Sequence, residues 1–224
     1  IDDGSTDSTF QKVQKFEGLK NLKLYQNLNS SQGASRELGK YLSKSEFIYF
    51  LDSDDYISKE FIETIKNLIT QNQNLDLILF QGKSFTDEKN LLINSNFNKG
   101  KKLKEYCRPL YGVFMDPNEY IYKSLKTHTF WSQPCLFVSR KSIWTENRIS
   151  IPSHKHEDEA VLLELFIFSK KIVSIPNKLF FRRYRNDSDI ATCKLSLGNL
   201  DGYLQCSLRT LSLIKSKRLD TKFQ

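Results

Sequence analysis

Apolar positions in the first 80 residues alternate between helical and strand spacing. Spacings of three and four predict helices, while short continuous or alternating apolar runs predict strands. The predicted elements, in chain order, are a helix over 6–17, a strand over 22–25, a helix over 32–43, a strand over 47–51, a helix capped by Ser58 and a strand over 75–80. This order predicts an α/β domain with a Rossmann-like, mainly parallel sheet that has helices on both faces.

The second part of the chain is less regular. Residues 82–130 are rich in Asn, Lys and Tyr, and they predict loops and irregular helices that suit a lid or an acceptor-binding region. The later predicted elements are a strand over 135–139, a helix over 156–169, two short strands over 172–175 and 179–181 joined by a Pro176–Asn177 turn, and a helix from about 195. The apolar stripe predicted for that last helix comprises Leu200, Leu204, Leu208, Leu211 and Ile214.

The composition fits one folded α/β domain: 224 residues, of which 39% are hydrophobic and 12% aromatic. The net charge of +8 favours anionic partners, and the Lys and Arg residues are spread along the whole chain. Since no base-reading motif accompanies this charge, we do not expect nucleic-acid binding. Attraction to an anionic membrane surface fits the dispersed charge better. No apolar run approaches the roughly 20 residues that a membrane span requires.

The cysteines and histidines are too scattered for a zinc site. Cys107, Cys135, Cys193 and Cys206 form no C-x-x-C pair, so we expect free thiols in a reducing cytosol. The chain begins at Ile1 and leads straight into a loop-like Asp-Asp-Gly-Ser. We therefore expect it to start inside a fold, with an upstream segment missing.

Two acidic clusters follow predicted strand ends. Residues 2–4 (Asp-Asp-Gly) follow what the opening Ile suggests is a strand, and residues 52–55 (Asp-Ser-Asp-Asp) follow the strand over 47–51. In an open parallel sheet, ligands bind beyond the carboxyl ends of the strands, so we expect both clusters to face one crevice. Mg²⁺ or Mn²⁺ takes one or two carboxylates there, and Asp54 is the expected ligand, with Asp52 beside it. A strand-ending turn is the alternative interpretation of residues 52–55.

A third acidic site, Glu157-Asp158-Glu159, opens the predicted helix over 156–169. Carboxylates at a helix N-terminus are stabilised by the helix dipole, so a cap is one interpretation. A general base is the other, because a carboxylate here can remove the proton of an acceptor hydroxyl. The residues alone leave both interpretations open.

Three spaced motifs resemble the nucleotide-binding half of family 2 glycosyltransferases, which have the GT-A fold. They are Asp2-Asp3-Gly4-Ser5-Thr6-Asp7, then Gln32-Gly33-Ala34-Ser35-Arg36, then Phe50-Leu51-Asp52-Ser53-Asp54-Asp55. Residues 141–158 resemble the acceptor-side segment of that family, and Arg183 with Ser188 is similar to the Arg and Ser after its late strands. The resemblance implies a GT-A catalytic domain over 1–190, with its first strand missing, and a helical extension over 191–224.

The resemblance also implies a donor site. Its residues are Asp2, Asp3, Gly33, Arg36, Asp52 and Asp54. Asp3, next to Asp2, matches the carboxylate that contacts the nucleotide base, while Gly33 and Arg36 match the segment that lines the nucleotide site. Asp52 and Asp54 match the D-x-D motif that holds Mn²⁺ or Mg²⁺.

On the acceptor side, the resemblance implies that Asp158 is the catalytic base of an inverting transfer and that Glu157 orients it. Arg183 and Arg185 are candidates for contacts with the diphosphate or the acceptor. The implied function is transfer of a sugar from a nucleotide-sugar, with UDP favoured, to a glycan or lipid-linked acceptor in bacterial surface polysaccharide synthesis. The implied place is the cytoplasm, with peripheral contact at the anionic inner membrane.

The sequence departs from the family pattern at two places. Arg36-Glu37-Leu38-Gly39 stands where Arg-Asn-x-Gly is frequent, and Ser31 stands where Gly is common. These changes put the nucleotide preference in doubt. A non-catalytic module that binds nucleotide-sugar or glycan is the alternative function. A nucleotidyltransferase would need a Gly-rich phosphate loop near the start, and the sequence has none.

Overall fold

The structure, a computed structural model, describes residues 1–28, 30–86, 103–184 and 196–217. The helices are α1 (Thr9–Gln14), α2 (Gln32–Leu42), α3 (Phe61–Gln71), α4 (Pro117–Lys126), α5 (Lys141–Glu146), α6 (Glu157–Phe168) and α7 (Leu197–Lys217), with a 3₁₀ turn at Pro134–Leu136. The strands are β1 (Phe47–Ile48), β2 (Tyr56–Ile57), β3 (Leu77–Phe85), β4 (Glu105–Tyr106), β5 (Gly112–Phe114), β6 (Phe137–Arg140) and β7 (Ile172–Arg183).

The seven strands of the described ranges form one sheet in the order β1-β6-β3-β7-β2, with β4 paired to β3 and β5 paired to β7. The long ladder between β3 and β7 is parallel, and the other five ladders of these ranges are antiparallel. The α/β class is confirmed, but the prediction of a mainly parallel sheet was wrong. It rested on the first 80 residues, where 22–25 forms no strand and 47–51 contributes only the short β1. Next to the segment 22–25, the described residues pair only through an isolated parallel bridge between Asp2 and Gln26.

Strand β3 is buried on both faces, and this places helices on both sides of the sheet. Leu77 and Leu79 belong to one hydrophobic cluster, while Ile78 and Phe80 belong to the other. On the first face lie Val161, Leu162, Leu165 and Phe166 of α6. On the second lie Phe61 and Ile65 of α3. The predicted layers of helix, sheet and helix are confirmed.

Residues 172–183 form the single strand β7, so the predicted turn at Pro176–Asn177 was wrong. Ser174 pairs with Leu79 and Lys178 pairs with Gln81, which leaves extra residues on β7 between two nearby partners on β3. The strand therefore bulges and continues in the same direction. Proline, which has no N–H to donate to a ladder, is tolerated at such an irregularity.

The strand ladder also explains why Ser58 does not cap α3. The backbone N–H of Ser58 donates to the carbonyl oxygen of Leu179 (2.9 Å), which extends the pairing of β2 with β7. Helix α3 begins three residues later, at Phe61. At α2, by contrast, a serine does cap the helix, because the Ser31 hydroxyl accepts a hydrogen bond from the N–H of Ala34 (3.2 Å).

Helix α7 confirms the predicted C-terminal helix, but most of its predicted apolar stripe is not covered by the described residues. Leu200, Leu204, Leu208 and Leu211 are each about half exposed. The face that packs on α6 instead carries the buried Asn199, Gly202, Cys206 and Leu213. Leucine spacing marks an apolar face, but it does not say whether this chain covers that face. None of the described helices has the length and apolar content needed to cross a membrane.

A pair of glycines on α2 gives a test of this packing. A Cβ at Gly33 would lie 2.0 Å from the carbonyl oxygen of Pro152, whereas a Cβ at Gly39 would meet only Ile1 at 3.6 Å. We expect Gly33→Ala to lower the free energy of unfolding by about 1–3 kcal/mol, because the backbone contact must open. Gly39→Ala, on the same helix, should raise it by about 0.5–1 kcal/mol. Urea unfolding of both variants checks this, and equal effects of the same sign would contradict the packing.

Candidate active site

One arginine joins the donor-side and acceptor-side motifs. Nη2 of Arg36, on α2, lies 2.8 Å from Oδ1 of Asp52, and Nη1 lies 2.8 Å from Oε1 of Glu157. The Arg36 side chain is only 10% exposed. Asp52 lies in the loop that follows β1, and Glu157 is the first residue of α6. Three segments that are far apart in sequence therefore meet around one guanidinium group.

Opposing electrostatic effects act on the pKa of Glu157 in this bridge. Burial raises the pKa of Glu157, and the neighbouring Asp158 raises it further, while the charge of Arg36 acts against both. The position at the start of α6 also favours a carboxylate, because the helix dipole is positive there. Arg36 remains charged, since proximity to Asp52 and Glu157 more than offsets the lowering of its pKa by burial.

Asp158 is the second residue of α6 and lies beside this bridge. The hydroxyl of Ser132 donates to its Oδ2 at 3.4 Å, and the side chains of Arg36, Glu157 and Asp158 line one narrow cleft. Apolar residues, among them Trp144, form the remaining walls. A carboxylate in this position has one oxygen held by a hydroxyl and can accept a proton with the other.

Asp3, which is predicted to contact the nucleotide base, is hydrogen-bonded to the loop that precedes α2. Its carboxylate accepts hydrogen bonds from the N–H of Ser30 (3.0 Å) and the N–H of Ser31 (3.2 Å), which lower its pKa. The next residue along, Gln32, donates from its side-chain amide to Asp52 at 3.3 Å. The loop and the start of α2 therefore place Asp3 and Asp52 on the same side of the molecule, as the motif order predicted.

The hydrogen-bond partners of Asp2 differ from those of Asp3. It accepts hydrogen bonds from the backbone and hydroxyl of Ser5 and from the amide of Gln26 (3.2 Å). The hydroxyl of Ser5 is the largest of the contacts that lower the pKa of Asp2. Asp2 is buried, so its carboxylate fixes the turn after the opening residue.

The acidic cluster at 52–55 is a turn anchored to the end of β7. The N–H of Asp55 donates to the carbonyl oxygen of Asp52 (3.1 Å), and Oδ1 of Asp55 accepts from the N–H of Arg183 (2.7 Å). Nε of Arg183 donates to the carbonyl oxygen of Asp54 (2.9 Å). The turn interpretation is therefore confirmed, and the metal-site interpretation stays a prediction. Arg185 and Ser188, the other residues predicted near this strand end, lie outside the described residues.

The described residues contain one group of potential metal ligands at this turn. Ligand atoms of Asp52, Asp55 and Cys135 all lie within 4.8 Å of one another. Burial, with Asp54 and Asp52 nearby, raises the pKa of Asp55 to about 6. Burial also raises the pKa of the Cys135 thiol, which stays protonated and is a poor partner for a hard cation. The carboxylates therefore fit Mg²⁺ or Mn²⁺, and a cation would relieve their mutual repulsion.

Sequence reasoning missed two of these features. Asp55 was visible as the fourth residue of the acidic tetrapeptide, but Cys135 lies 80 residues further on and carried no signal. Nor did any pattern show that Arg36 contacts both Asp52 and Glu157. Asp54, the ligand predicted from the sequence, is not in the group of three formed by the described residues. Its role stays a prediction.

The turn before Glu157 is held from the other side by α7. His156 has a left-handed backbone (φ 63°), and its ring stacks on Tyr203 with ring centroids 3.6 Å apart. A Cβ at Gly202 would lie 2.4 Å from the carbonyl oxygen of Lys155, so the helix approaches this turn closely. Sequence reasoning gave α7 no part in the site, yet α7 supports the residues that precede the predicted base.

The fold has close structural relatives. The solved structure of TarS residues 1–349 from S. aureus, in complex with UDP-GlcNAc, superposes with a TM-score of 0.72 at 21% sequence identity, covering 95% of this chain and 56% of that one. The shared fold is the GT-A fold. The family described as "Glycosyltransferase like family 2" matches residues 1–93, which hold the three donor-side motifs. Over these residues the chain is similar to family 2 glycosyltransferases.

Curated relatives match further along the chain. The poly(ribitol-phosphate) beta-N-acetylglucosaminyltransferase TarP of Staphylococcus aureus is 28% identical over 76% of this chain and 47% of its own length. The minor teichoic acid biosynthesis protein GgaA of Bacillus subtilis is 25% identical over 84% of this chain and 40% of its own length. The chain thus spans less than half the length of these relatives.

The Arg36 bridge can be tested through stability. We expect Arg36→Ala to lower the free energy of unfolding by about 2–3 kcal/mol, because two neighbouring carboxylates lose their shared cation. Arg36→Lys should restore little, since an ammonium group cannot repeat the two-pronged geometry. Urea unfolding measures both variants.

The matched test is the double variant Arg36→Ala with Glu157→Gln. Glu157→Gln removes the carboxylate charge that Arg36→Ala leaves unpaired. The double variant should therefore recover part of the lost free energy of unfolding, and the two single effects should not add. Simple additivity would contradict a direct interaction between Arg36 and Glu157.

Proposed function

We propose that this chain carries the catalytic machinery of an inverting glycosyltransferase that uses a nucleotide-sugar, with a UDP-sugar as the favoured donor. The observation that carries the proposal is the contact of Arg36 with both Asp52 and Glu157, which joins a residue of the predicted donor motif to one of the predicted acceptor motif. The relatives support the sugar-transfer class: TarP is named as a poly(ribitol-phosphate) beta-N-acetylglucosaminyltransferase, GgaA as a minor teichoic acid biosynthesis protein, and TarS is solved with UDP-GlcNAc.

In the proposed donor site, the diphosphate lies over the turn at 52–55. Asp54 and Asp52 are the proposed ligands of Mn²⁺ or Mg²⁺, and Asp55 adds negative charge beside them. When bound, such a cation neutralises the charge that develops on the departing nucleoside diphosphate. Gln32 and Arg36 hold Asp52 from α2. Gly33 is proposed to line the nucleotide site, and Asp3 is proposed to contact the nucleotide base from the loop beside it.

In the proposed transfer, Asp158 accepts the proton of the acceptor hydroxyl. The hydroxyl oxygen then forms its bond to the anomeric carbon while the bond from that carbon to the diphosphate breaks, so the anomeric configuration inverts. Ser132 holds Oδ2 of Asp158 by a hydrogen bond (3.4 Å). Glu157, held by Arg36, fixes the first turn of α6 and thereby the direction of Asp158.

The proposed acceptor is a glycan or a lipid-linked molecule of the bacterial surface. The net charge of +8 supports peripheral contact with an anionic membrane, where such acceptors are presented. We include a cytoplasmic site of action, at the inner membrane face, in this proposal.

The base assignment has a direct test in Asp158→Asn. Loss of general-base catalysis should lower kcat about 100- to 10,000-fold, because proton removal contributes that much, while the Kd for the donor stays nearly unchanged. Glu63→Gln, which alters an exposed carboxylate in the first turn of α3, is the matched control and should leave kcat unchanged. The assay measures nucleoside diphosphate released from UDP- and GDP-sugars with Mn²⁺. Full activity of Asp158→Asn would refute the base assignment.

Release of no nucleoside diphosphate from any of these donors would instead favour the non-catalytic binding module. If calorimetry shows that UDP binds while no nucleoside diphosphate is released from the donors, that result would be positive evidence for the binding module. The donor that is turned over would also name the nucleotide.

The metal assignment is tested with Asp54→Ala. We expect Mn²⁺-dependent release of nucleoside diphosphate to fall more than about 100-fold, as chelation of Mn²⁺ should do for the unaltered chain. The comparison variant is Asp55→Asn, since Asp55 lies in the group of potential ligands. Calorimetric titration with Mn²⁺ reads binding directly. If Asp55→Asn loses Mn²⁺ affinity and Asp54→Ala keeps it, the ligand set is Asp52 with Asp55, and the prediction for Asp54 is wrong.

A further inference from the structure

An apolar groove of about 400 Å³ runs along α6, between α4 and α7. Ile121 of α4 lines one wall, Leu163 and Ile167 of α6 line the floor, and Cys206, Thr210 and Ile214 of α7 line the other wall. A volume of this size is typical of small-molecule sites, which are predominantly apolar with a few polar groups at fixed places. The mechanism proposed above does not use this groove.

The groove begins next to the predicted base. Ser132, whose hydroxyl bonds to Asp158, lines it together with Glu159 of the first turn of α6. From Glu159 to Ile167 the floor follows α6 for about 12 Å, at 1.5 Å for each helical residue. The polar groups of Ser132 and Glu159 thus lie near Asp158, and an apolar floor extends away from them.

We infer that this groove binds the alkyl chain of a lipid-linked acceptor whose hydroxyl is placed at Asp158. The inference rests on the proposed function, because it assigns the acceptor of the same site. A purely hydrophilic polymer would leave its polar groups against an apolar lining, which costs desolvation without returning hydrogen bonds. An alkyl chain loses no hydrogen bonds on entering the groove and gains its burial.

The neighbouring surface supports the same kind of ligand. Leu200, Leu204, Leu208 and Leu211 form a row on α7, roughly 40° to 120° around the helix from the groove-lining Ile214, and each is about half exposed. Contiguous exposed apolar surface marks contact with an apolar phase or partner. A helix with such a row suits the surface of a membrane, from which an alkyl chain can enter the groove.

The probe for this inference is decyl β-D-glucoside, used below its micelle concentration, with methyl β-D-glucoside as its short-chain counterpart. Each buried methylene raises affinity about fourfold, so burial of even four should separate the two ligands by more than about 100-fold. Calorimetry reads binding without depending on catalysis. Equal affinity for the two glucosides overturns the inference.

The exposed leucine row could bind the same chain, and two matched pairs of variants on α7 separate the alternatives. Thr210→Trp fills the groove, while Leu204→Trp makes the same change on the outer face. Ile214→Asp places a charge in the groove, while Leu211→Asp places it outside, and this pair decides the question if Thr210→Trp does not fold. Circular dichroism checks helix content.

We expect the two groove variants to lose at least tenfold in affinity for decyl glucoside and the two outer-face variants to keep it. Loss in the outer-face variants with retention in the groove variants overturns the inference.

The outcome is separable from that of the proposed function. If nucleoside diphosphate is released from a nucleotide-sugar but the decyl chain adds nothing to binding, the groove inference fails and the transferase stands. If the decyl chain binds in the groove but no donor is turned over, the proposed function fails, and the assignment of the chain to an acceptor fails with it.

Discussion

The arrangement of the candidate site depends on one shared cation. Arg36 is almost wholly buried and is held by two carboxylates that would otherwise repel each other and resist burial. Because Asp52 belongs to the predicted donor motif and Glu157 to the predicted acceptor motif, the same guanidinium sets the distance between them. The position of Asp158 follows from this contact, since it is the next residue of α6.

The sheet provides the frame on which this contact is built. Strand β3 is covered on both faces, so α3 and α6 are each fixed by the same buried ladder with β7. The far end of β7 then holds the acidic turn through the contacts of Arg183 with Asp54 and Asp55. One long parallel pair of strands thereby positions both the helix of the base and the turn of the proposed metal ligands.

Local patterns predicted α1, α2, α3, α6 and α7 and the α/β class, because apolar residues recur at helical spacing in those segments. They failed where the outcome depended on partners distant in sequence. Pro176 reads as a turn residue, and only the ladder to β3 makes it a bulge. The leucines of α7 mark an apolar face, but the buried residues of that helix include Cys206, and Gly202 lies against the turn before α6. The motif residues could be found by resemblance, whereas the contacts of Arg36 with Asp52 and Glu157 are visible only in the structure.

The close approach of α7 to the turn before Glu157 has a consequence for how this protein can diverge. With a glycine at position 202, the helix backbone comes near enough for Tyr203 to lie flat on His156. Any side chain at position 202 would need a compensating change in the turn at 155–156, where the backbone is already left-handed. Substitutions at position 202 and in this turn are therefore tolerated only together.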